Sequence, residues 1–373
     1  MKKIGLFINP IAGMGGKVGL KGTDGQDTLA LARQRGAKPE SSAKAIKALR
    51  KLLPLKDELL FFVASGSMGE MAAEKVGLNY KVIYEANAET TQKDTLNFLK
   101  KIKLEDVELL LFAGGDGTAK DVAQVIGLSL PVIGIPTGVK IHSPVYAITP
   151  EDAGALACDY LNEVPFTFME KEVIDLDEEA FRKDEIKTQI FGFLKVPEDK
   201  KHLQAVKSPT PQSDTAAQVS AALQVIDEME EDVYYLVGSG STTSKILEEL
   251  DLPVTQLGVD IFKNGELIAK DVYEQQILEI IDDHPTKLIV TPMGGQGYLF
   301  GRGNQQLSDK VLDKIKKEDI LVVSTPGKIN TLFGRPLLIY TGNSEIDQKL
   351  SGYYKIIVGY GKYVIYKVES PVK

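Results

Sequence analysis

The stretch Val107 to Ala113 is a run of mostly apolar, strand-forming residues that empties at once into Gly114-Gly115-Asp116-Gly117-Thr118, and the helical pattern Ala119 to Ile126 follows without a gap. A short apolar run of this length suits a strand buried on both faces. A strand that passes through glycines directly into a helix is half of a parallel crossover unit, because parallel neighbours must be joined by long connections. The pattern recurs. Ile4 to Ile8 runs into Asn9-Pro10-Ile11-Ala12-Gly13-Met14-Gly15-Gly16, and Leu59 to Ala64 runs into Ser65-Gly66-Ser67-Met68-Gly69. Pro131 to Ile135 runs into Pro136-Thr137-Gly138-Val139-Lys140, and Tyr80 to Tyr84 reads as a further strand. The expected fold class is therefore α/β: an N-terminal, mostly parallel sheet with helices on both faces.

Helices are predicted over Ala43 to Leu53, after Ser41-Ser42, and over Glu151 to Leu161, where Thr149-Pro150 supply a cap and a proline at the first helical position. At 373 residues the chain suggests two domains. The alternation changes character near Pro165, and Lys171 to Val196 is rich in carboxylates and strand formers. Residues 1–165 are thus expected to form one domain and residues 166–373 a mixed α/β second domain. Within the latter, Ser208 to Asp214 has loop composition, Ala216 to Met229 is helical, and Val233 to Val237 is a strand. Tyr353 to Val358, Gly359-Tyr360-Gly361 and Tyr363 to Val368 predict a C-terminal β-hairpin.

Composition narrows the function classes. The formal net charge of −8 disfavours a nucleic-acid or anionic-lipid partner, both of which need a basic footprint. No apolar run approaches the roughly 18 residues of a membrane span. The apolar stretch after Met1-Lys2-Lys3 stops at Asn9-Pro10, too early for a signal sequence. The single cysteine, Cys158, fits a reducing compartment, so a cytoplasmic location is expected. His142, His202 and His284 lack ligand spacing, and the metal ligands stay unassigned. A homo-oligomer is compatible with the sequence but not legible in it.

The glycine loops carry the chemistry. Gly114, Gly115 and Gly117 lack Cβ atoms and let main-chain N–H groups approach phosphate oxygens at a helix N-terminus. Asp116 is out of place beside a polyphosphate unless it takes a proton from an acceptor hydroxyl or contacts magnesium; Asp116 and Thr118 are equally able to cap the helix. Asn9 can bind a nucleotide while Gly13 and Gly16 admit it, although this loop has neither a Walker ending nor a dinucleotide fingerprint. Thr137, Gly138 and Lys140 are candidates for phosphate contact, Lys140 through its charge. Ser241, Thr242 and Thr243, in Gly238-Ser239-Gly240-Ser241-Thr242-Thr243, can hold phosphate or ribose, or cap a helix expected from Ser244 to Leu250. Arg302, in the glycine-dense segment Pro292 to Asn304, can bind phosphate bidentately. Asp175 and Asp177 share a strand face, which suits either magnesium or a solvated edge.

Gly114 to Thr118, joined to a first strand ending in Asn9-Pro10, resembles the ATP-NAD kinase superfamily, which also contains diacylglycerol and sphingosine kinases. Asn9 to Gly25, Ile135-Pro136-Thr137-Gly138-Val139-Lys140 and Gly301-Arg302-Gly303-Asn304-Gln305-Gln306 resemble its acetoin-catabolism protein X-like branch. The resemblance implies that ATP, with Mg2+, donates its γ-phosphoryl group to the 2′-hydroxyl of the adenosine ribose of NAD, giving NADP. It makes Asp116 the base and the surrounding glycines phosphate contacts. Gly240-Ser241-Thr242-Thr243 is only a partial counterpart of the second-domain loop of NAD kinases, and it lacks a tyrosine. Alternatives are a kinase acting on a lipid or another small polyol, and a catalytically silent nucleotide-binding regulator.

Overall fold

The computed structural model describes residues 1–16, 18–20, 26–138, 141–162, 164, 166–176, 188–198, 203, 214–255 and 257–372. The chain divides into two compact units. The first gathers residues 1–14, 22–33 and 38–206; the second gathers 15–21, 34–37 and 207–373.

The first unit is built on a five-stranded parallel sheet in the order β3 (Tyr80–Tyr84), β2 (Leu59–Ala64), β1 (Lys2–Ile8), β4 (Leu109–Gly114), β5 (Val132–Pro136). Every residue of β4 and β5 is buried, which is why these segments read as continuous apolar runs rather than as alternating ones. Helix α1 (Gln26–Gln34) comes first in the chain; around the sheet, α2 (Ser41–Arg50) packs with α3 (Glu70–Val76) and α6 (Pro150–Leu161), whereas α4 (Gln92–Ile102) packs with α5 (Asp116–Val125). As expected from its sequence, α6 has Pro150 in its first turn and a reciprocal cap between Thr149 and Asp152. Helix α2 starts at Ser41 rather than after Ser42, with Glu40 at its N-cap, and Ser41 is buried with its hydroxyl donating to the Ala12 carbonyl at 2.8 Å. An antiparallel pair, β6 (Phe168–Leu176) and β7 (Thr188–Pro197), packs on α5, with Lys120 Nζ lying 3.9 Å from the Phe191 ring centre. This hairpin belongs to the first unit by its contacts, although its sequence reads as the start of the second region.

The chain leaves β1 toward β2 on one side and later places β4 on the other, so the strand order reverses between β1 and β4. Open α/β sheets bind ligands outside the carboxyl ends of their strands at such a reversal. The loops after β1 and β4 are the two glycine loops singled out above.

The second unit holds a nine-stranded mixed sheet in the order β10 (Glu266–Ala269), β9 (Asp260–Lys263), β8 (Tyr234–Val237), β11 (Thr286–Val290), β13 (Ile320–Val323), β15 (Gly352–Gly359), β16 (Lys362–Glu369), β14 (Leu337–Ile339), β12 (Tyr298–Phe300). Strands β8, β11, β13 and β15 run parallel, and β15 and β16 form the expected terminal hairpin. Beyond β8 the chain turns to β9 and β10 on one side and returns as β11 on the other, so this sheet has a reversal of its own. Helix Thr215–Asp227 precedes β8 and helix Ser241–Glu249 follows it.

Candidate functional site

The exit of β4 is where the first unit brings its predicted residues together. Gly115, extended at φ −125°, caps α5, so Asp116, Gly117 and Thr118 enter its first turn and the helix starts three residues before Ala119. Three loops then close on one another through main chain. The Gly114 carbonyl accepts from the N–H groups of Thr137 at 3.0 Å and Gly138 at 2.9 Å. A Cβ on Gly138 would stand 2.6 Å from the Gly115 Cα, and one on Gly13, whose φ is +81°, would stand 2.0 Å from the Thr137 oxygen. Only glycine permits either approach. The loop after β1 is tied in by the Asn9 N–H, which donates to the Ala113 carbonyl at 2.9 Å. The Asn9 side chain donates through Nδ2 to Thr118 Oγ1 at 3.0 Å and accepts from the Ile11 N–H at 3.3 Å.

Asp116 is buried, and its acceptor capacity faces the segment after β5. Its Oδ2 accepts from the His142 N–H at 2.6 Å and lies 3.2 Å from His142 Nδ1; its Oδ1 accepts from the Ser143 N–H at 3.1 Å. Ser143 is braced in turn, exchanging hydrogen bonds through its hydroxyl with the main chain of Ile174 in β6 at 2.9 and 3.0 Å. Tyr146, fully buried, donates its hydroxyl to the Gly115 carbonyl at 2.5 Å and meets Phe112 edge-on at 5.2 Å. The Thr137 hydroxyl is buried, and among the described residues it has no hydrogen-bond partner. An unpaired buried hydroxyl costs roughly 1–3 kcal/mol, which a bound acceptor would recover.

A second carboxylate marks the loop after β3 and serves structure. Asp94, fully buried in the first turn of α4, accepts from the N–H groups of Asn87 and Thr91 and from the hydroxyls of Thr91 and Tyr84. Burial on its own would raise its carboxyl, but these four donors outweigh it and bring the group down to about 2.

Of the other predicted residues, Gly16 belongs to the second unit, where it packs on the Gln305 side chain, and Lys140 lies outside the described residues, as do Asp177 and His202. Asp175 is half-buried in β6. Helix Ser241–Glu249 begins at Ser241 rather than Ser244, which puts Ser241, Thr242 and Thr243 in its first turn with Gly240 as an N-cap that offers no side chain. The Thr243 hydroxyl is used within the loop, donating to the Gly238 carbonyl at 2.6 Å, and Ser241 Oγ accepts from Gln218 at 3.3 Å. Arg302 is buried over the Tyr298 ring at 5.0 Å. Sequence reasoning missed His142, Ser143 and Tyr146, whose contacts to the glycine loop span 26 to 31 residues and carry no periodic signal.

The chain matches the ATP-NAD kinase N-terminal domain over residues 4–164 and the ATP-NAD kinase C-terminal domain over residues 230–368. The chain belongs to the ATP-NAD kinase superfamily. It is an ATP-dependent kinase of the NAD kinase family. The acetoin-catabolism branch rests on the sequence motifs alone. No curated protein and no solved structure matches the chain. Among the described residues, no group of three or more His, Cys, Asp or Glu side chains is arranged to hold a metal, and no helix is long and apolar enough to cross a membrane.

Proposed function

We propose that this kinase transfers the γ-phosphoryl group of ATP to the 2′-hydroxyl of the adenosine ribose of NAD, giving NADP, with Asp116 as the proton acceptor. The observation that carries the reading is the buried Asp116 carboxylate, fixed at a parallel-sheet reversal amid glycine backbone and beside the Thr137 hydroxyl, which has no partner among the described residues. In the transfer, the acceptor oxygen forms its bond to the γ-phosphorus as the bond to the bridging β,γ-oxygen breaks. The hydroxyl proton passes to an Asp116 oxygen, and ADP leaves. The amides of His142 and Ser143 hold the carboxylate in one orientation, so no reorganisation is needed as the proton arrives. The first turn of α5 and the main chain of Gly115 and Gly117 are suited to phosphate oxygens, with the Thr137 hydroxyl as a further donor.

The donors at the Asp116 loop fit magnesium that arrives on ATP, since magnesium commonly takes only one or two carboxylates besides phosphate and water. Asp116 is the carboxylate that would reach it. Bound there, the metal supplies neutralisation of charge on the phosphates.

One observation favours a second reading. Asp116 already accepts two main-chain N–H groups, so it can serve as a staple for the segment after β5 in a silent nucleotide-binding regulator. Incubation of the purified protein with magnesium-ATP and a panel of NAD, lipid and small-polyol acceptors, read by mass spectrometry, decides among these. Phosphorylation of NAD that is lost in Asp116→Asn supports the proposal. A lipid or polyol product moves the acceptor, and nucleotide binding without any phosphorylated product favours the regulator.

A further inference from the structure

One contact to the Asp116 carboxylate plays no part in the transfer as described so far. His142 lies between β5 and α6, and its side chain is buried together with that of Asp116. Besides its main-chain N–H, which donates to Asp116 Oδ2 at 2.6 Å, His142 places its ring nitrogen Nδ1 3.2 Å from the same oxygen. An ionised carboxylate only accepts, so the hydrogen of this second contact sits on Nδ1. Oδ2 therefore accepts twice from one residue, once from main chain and once from the imidazole.

A lone-pair count then separates the two carboxylate oxygens. Each has two lone pairs. Both of those on Oδ2 are engaged by His142. Among the described residues Oδ1 meets one donor, the Ser143 N–H at 3.1 Å, and keeps a lone pair open. That donor is itself held in place, because the Ser143 hydroxyl exchanges hydrogen bonds with the main chain of Ile174. With the main-chain donors alone, each oxygen would have one donor and one open lone pair, and a half-turn of the carboxylate would leave the count unchanged. The imidazole breaks that symmetry. Any pair of residues at these positions other than proline supplies the two N–H groups, whereas the third donor needs a side chain of this reach. Packing would ask for a ring of this size, but not for a nitrogen at hydrogen-bond distance from the carboxylate.

We propose that the His142 imidazole is a positioning residue for the phosphoryl transfer: it occupies the second lone pair of Asp116 Oδ2 and so reserves Oδ1 for the proton of the acceptor hydroxyl. The inference rests on the reading of Asp116 as proton acceptor, and adds to it which oxygen takes the proton and what fixes that choice. In the step, the acceptor O–H bond breaks and its proton goes to Oδ1. The electron pair left on the acceptor oxygen forms the new bond to the γ-phosphorus, and the bond to the bridging oxygen breaks with its pair leaving on ADP. His142 neither gains nor loses a proton; its hydrogen bond keeps the carboxylate in one orientation.

Steady-state kinetics with magnesium-ATP and the acceptor identified by mass spectrometry provide the test, together with long-range 1H–15N spectra of the full chain labelled in its histidine rings. His142→Leu, which has no donor, should lower kcat roughly ten- to a hundredfold with both KM values within about twofold of wild type. His142→Asn, whose amide nitrogen can stand where Nδ1 stood, should bring kcat back to within about fivefold of wild type, whereas His142→Gln, one carbon longer, should not. The Asn and Gln pair decides the matter if His142→Leu does not fold. The spectra, with the His142 signals identified by their loss in His142→Asn, should show a hydrogen on Nδ1. An unchanged kcat in His142→Leu, equal losses in His142→Asn and His142→Gln, or an Nδ1 bare of hydrogen would overturn the proposal. Turnover that is lost in Asp116→Asn yet untouched in His142→Leu overturns the role of His142 alone. Turnover retained in Asp116→Asn, or nucleotide binding with no phosphorylated product, overturns this role and the parent reading together.

Discussion

In the first unit the loops after β1, β4 and β5 meet main chain to main chain, whereas in the second the loops after β8, β11 and β13 meet through side chains. Gly13 abuts the Thr137 carbonyl and Gly138 abuts Gly115, so the first set is a backbone cradle with one carboxylate at its edge. In the second set the Lys328 ammonium donates to the hydroxyls of Thr242 and Thr291. The same topological position is thus closed by main chain in one unit and by side chains in the other. A cradle of touching backbone also tolerates little, because neither partner has a rotamer through which to yield.

The largest effect tests the chemical side of this contrast. Asp116→Asn should lower kcat by roughly a hundred- to ten-thousand-fold, the usual contribution of a positioned base, while circular dichroism shows a folded chain. Retained turnover would remove the functional half of the comparison. Next comes the mechanical side. Gly138→Ala forces a Cβ against backbone at 2.6 Å and should cost about 3 kcal/mol in urea unfolding. Thr243→Val in the second unit removes one hydroxyl donor and should cost only about 1 kcal/mol. Equal losses would mean that the two edges are equally forgiving.

Asp94 supplies the intermediate effect, and it is pH-dependent. Its folded carboxyl, at about 2, lies below the unfolded value of roughly 3.9, so its contribution is complete above about pH 4 and is lost as the pH falls toward 2. That contribution is on the order of 2 kcal/mol. The stability gap between wild type and Asp94→Asn, measured by urea melts, should therefore be widest near neutrality and narrow below pH 4. Tyr146→Phe, which removes the hydroxyl bonded to the Gly115 carbonyl, should cost about 1 kcal/mol in urea unfolding, as little as Thr243→Val.

Much of the first unit was legible in the sequence because fully buried strands and glycine loops leave local signatures. The strand ending at Gly114 and the capped helix after Thr149 are found within a residue or two of where the pattern puts them. What escaped was non-local. The donors to Asp116 are main-chain N–H groups, 26 and 27 residues away, and an N–H carries no residue identity that could advertise the contact. Lys328 looks like any surface lysine until the fold brings it to Thr242, 86 residues earlier. The hairpin of β6 and β7 misled for a related reason: its composition marks it as strand but does not say which unit it covers.

The abutting pair Gly115 and Gly138 has a consequence for how this chain can diversify. A Cβ on Gly138 would stand 2.6 Å from the Gly115 Cα and one on Gly115 would stand 3.1 Å from the Gly138 Cα, so a change at either presses on the other, and glycine leaves no smaller residue with which to compensate. The two positions, 23 apart in the chain, are locked as one heritable unit, and a library randomised at both should return the double glycine.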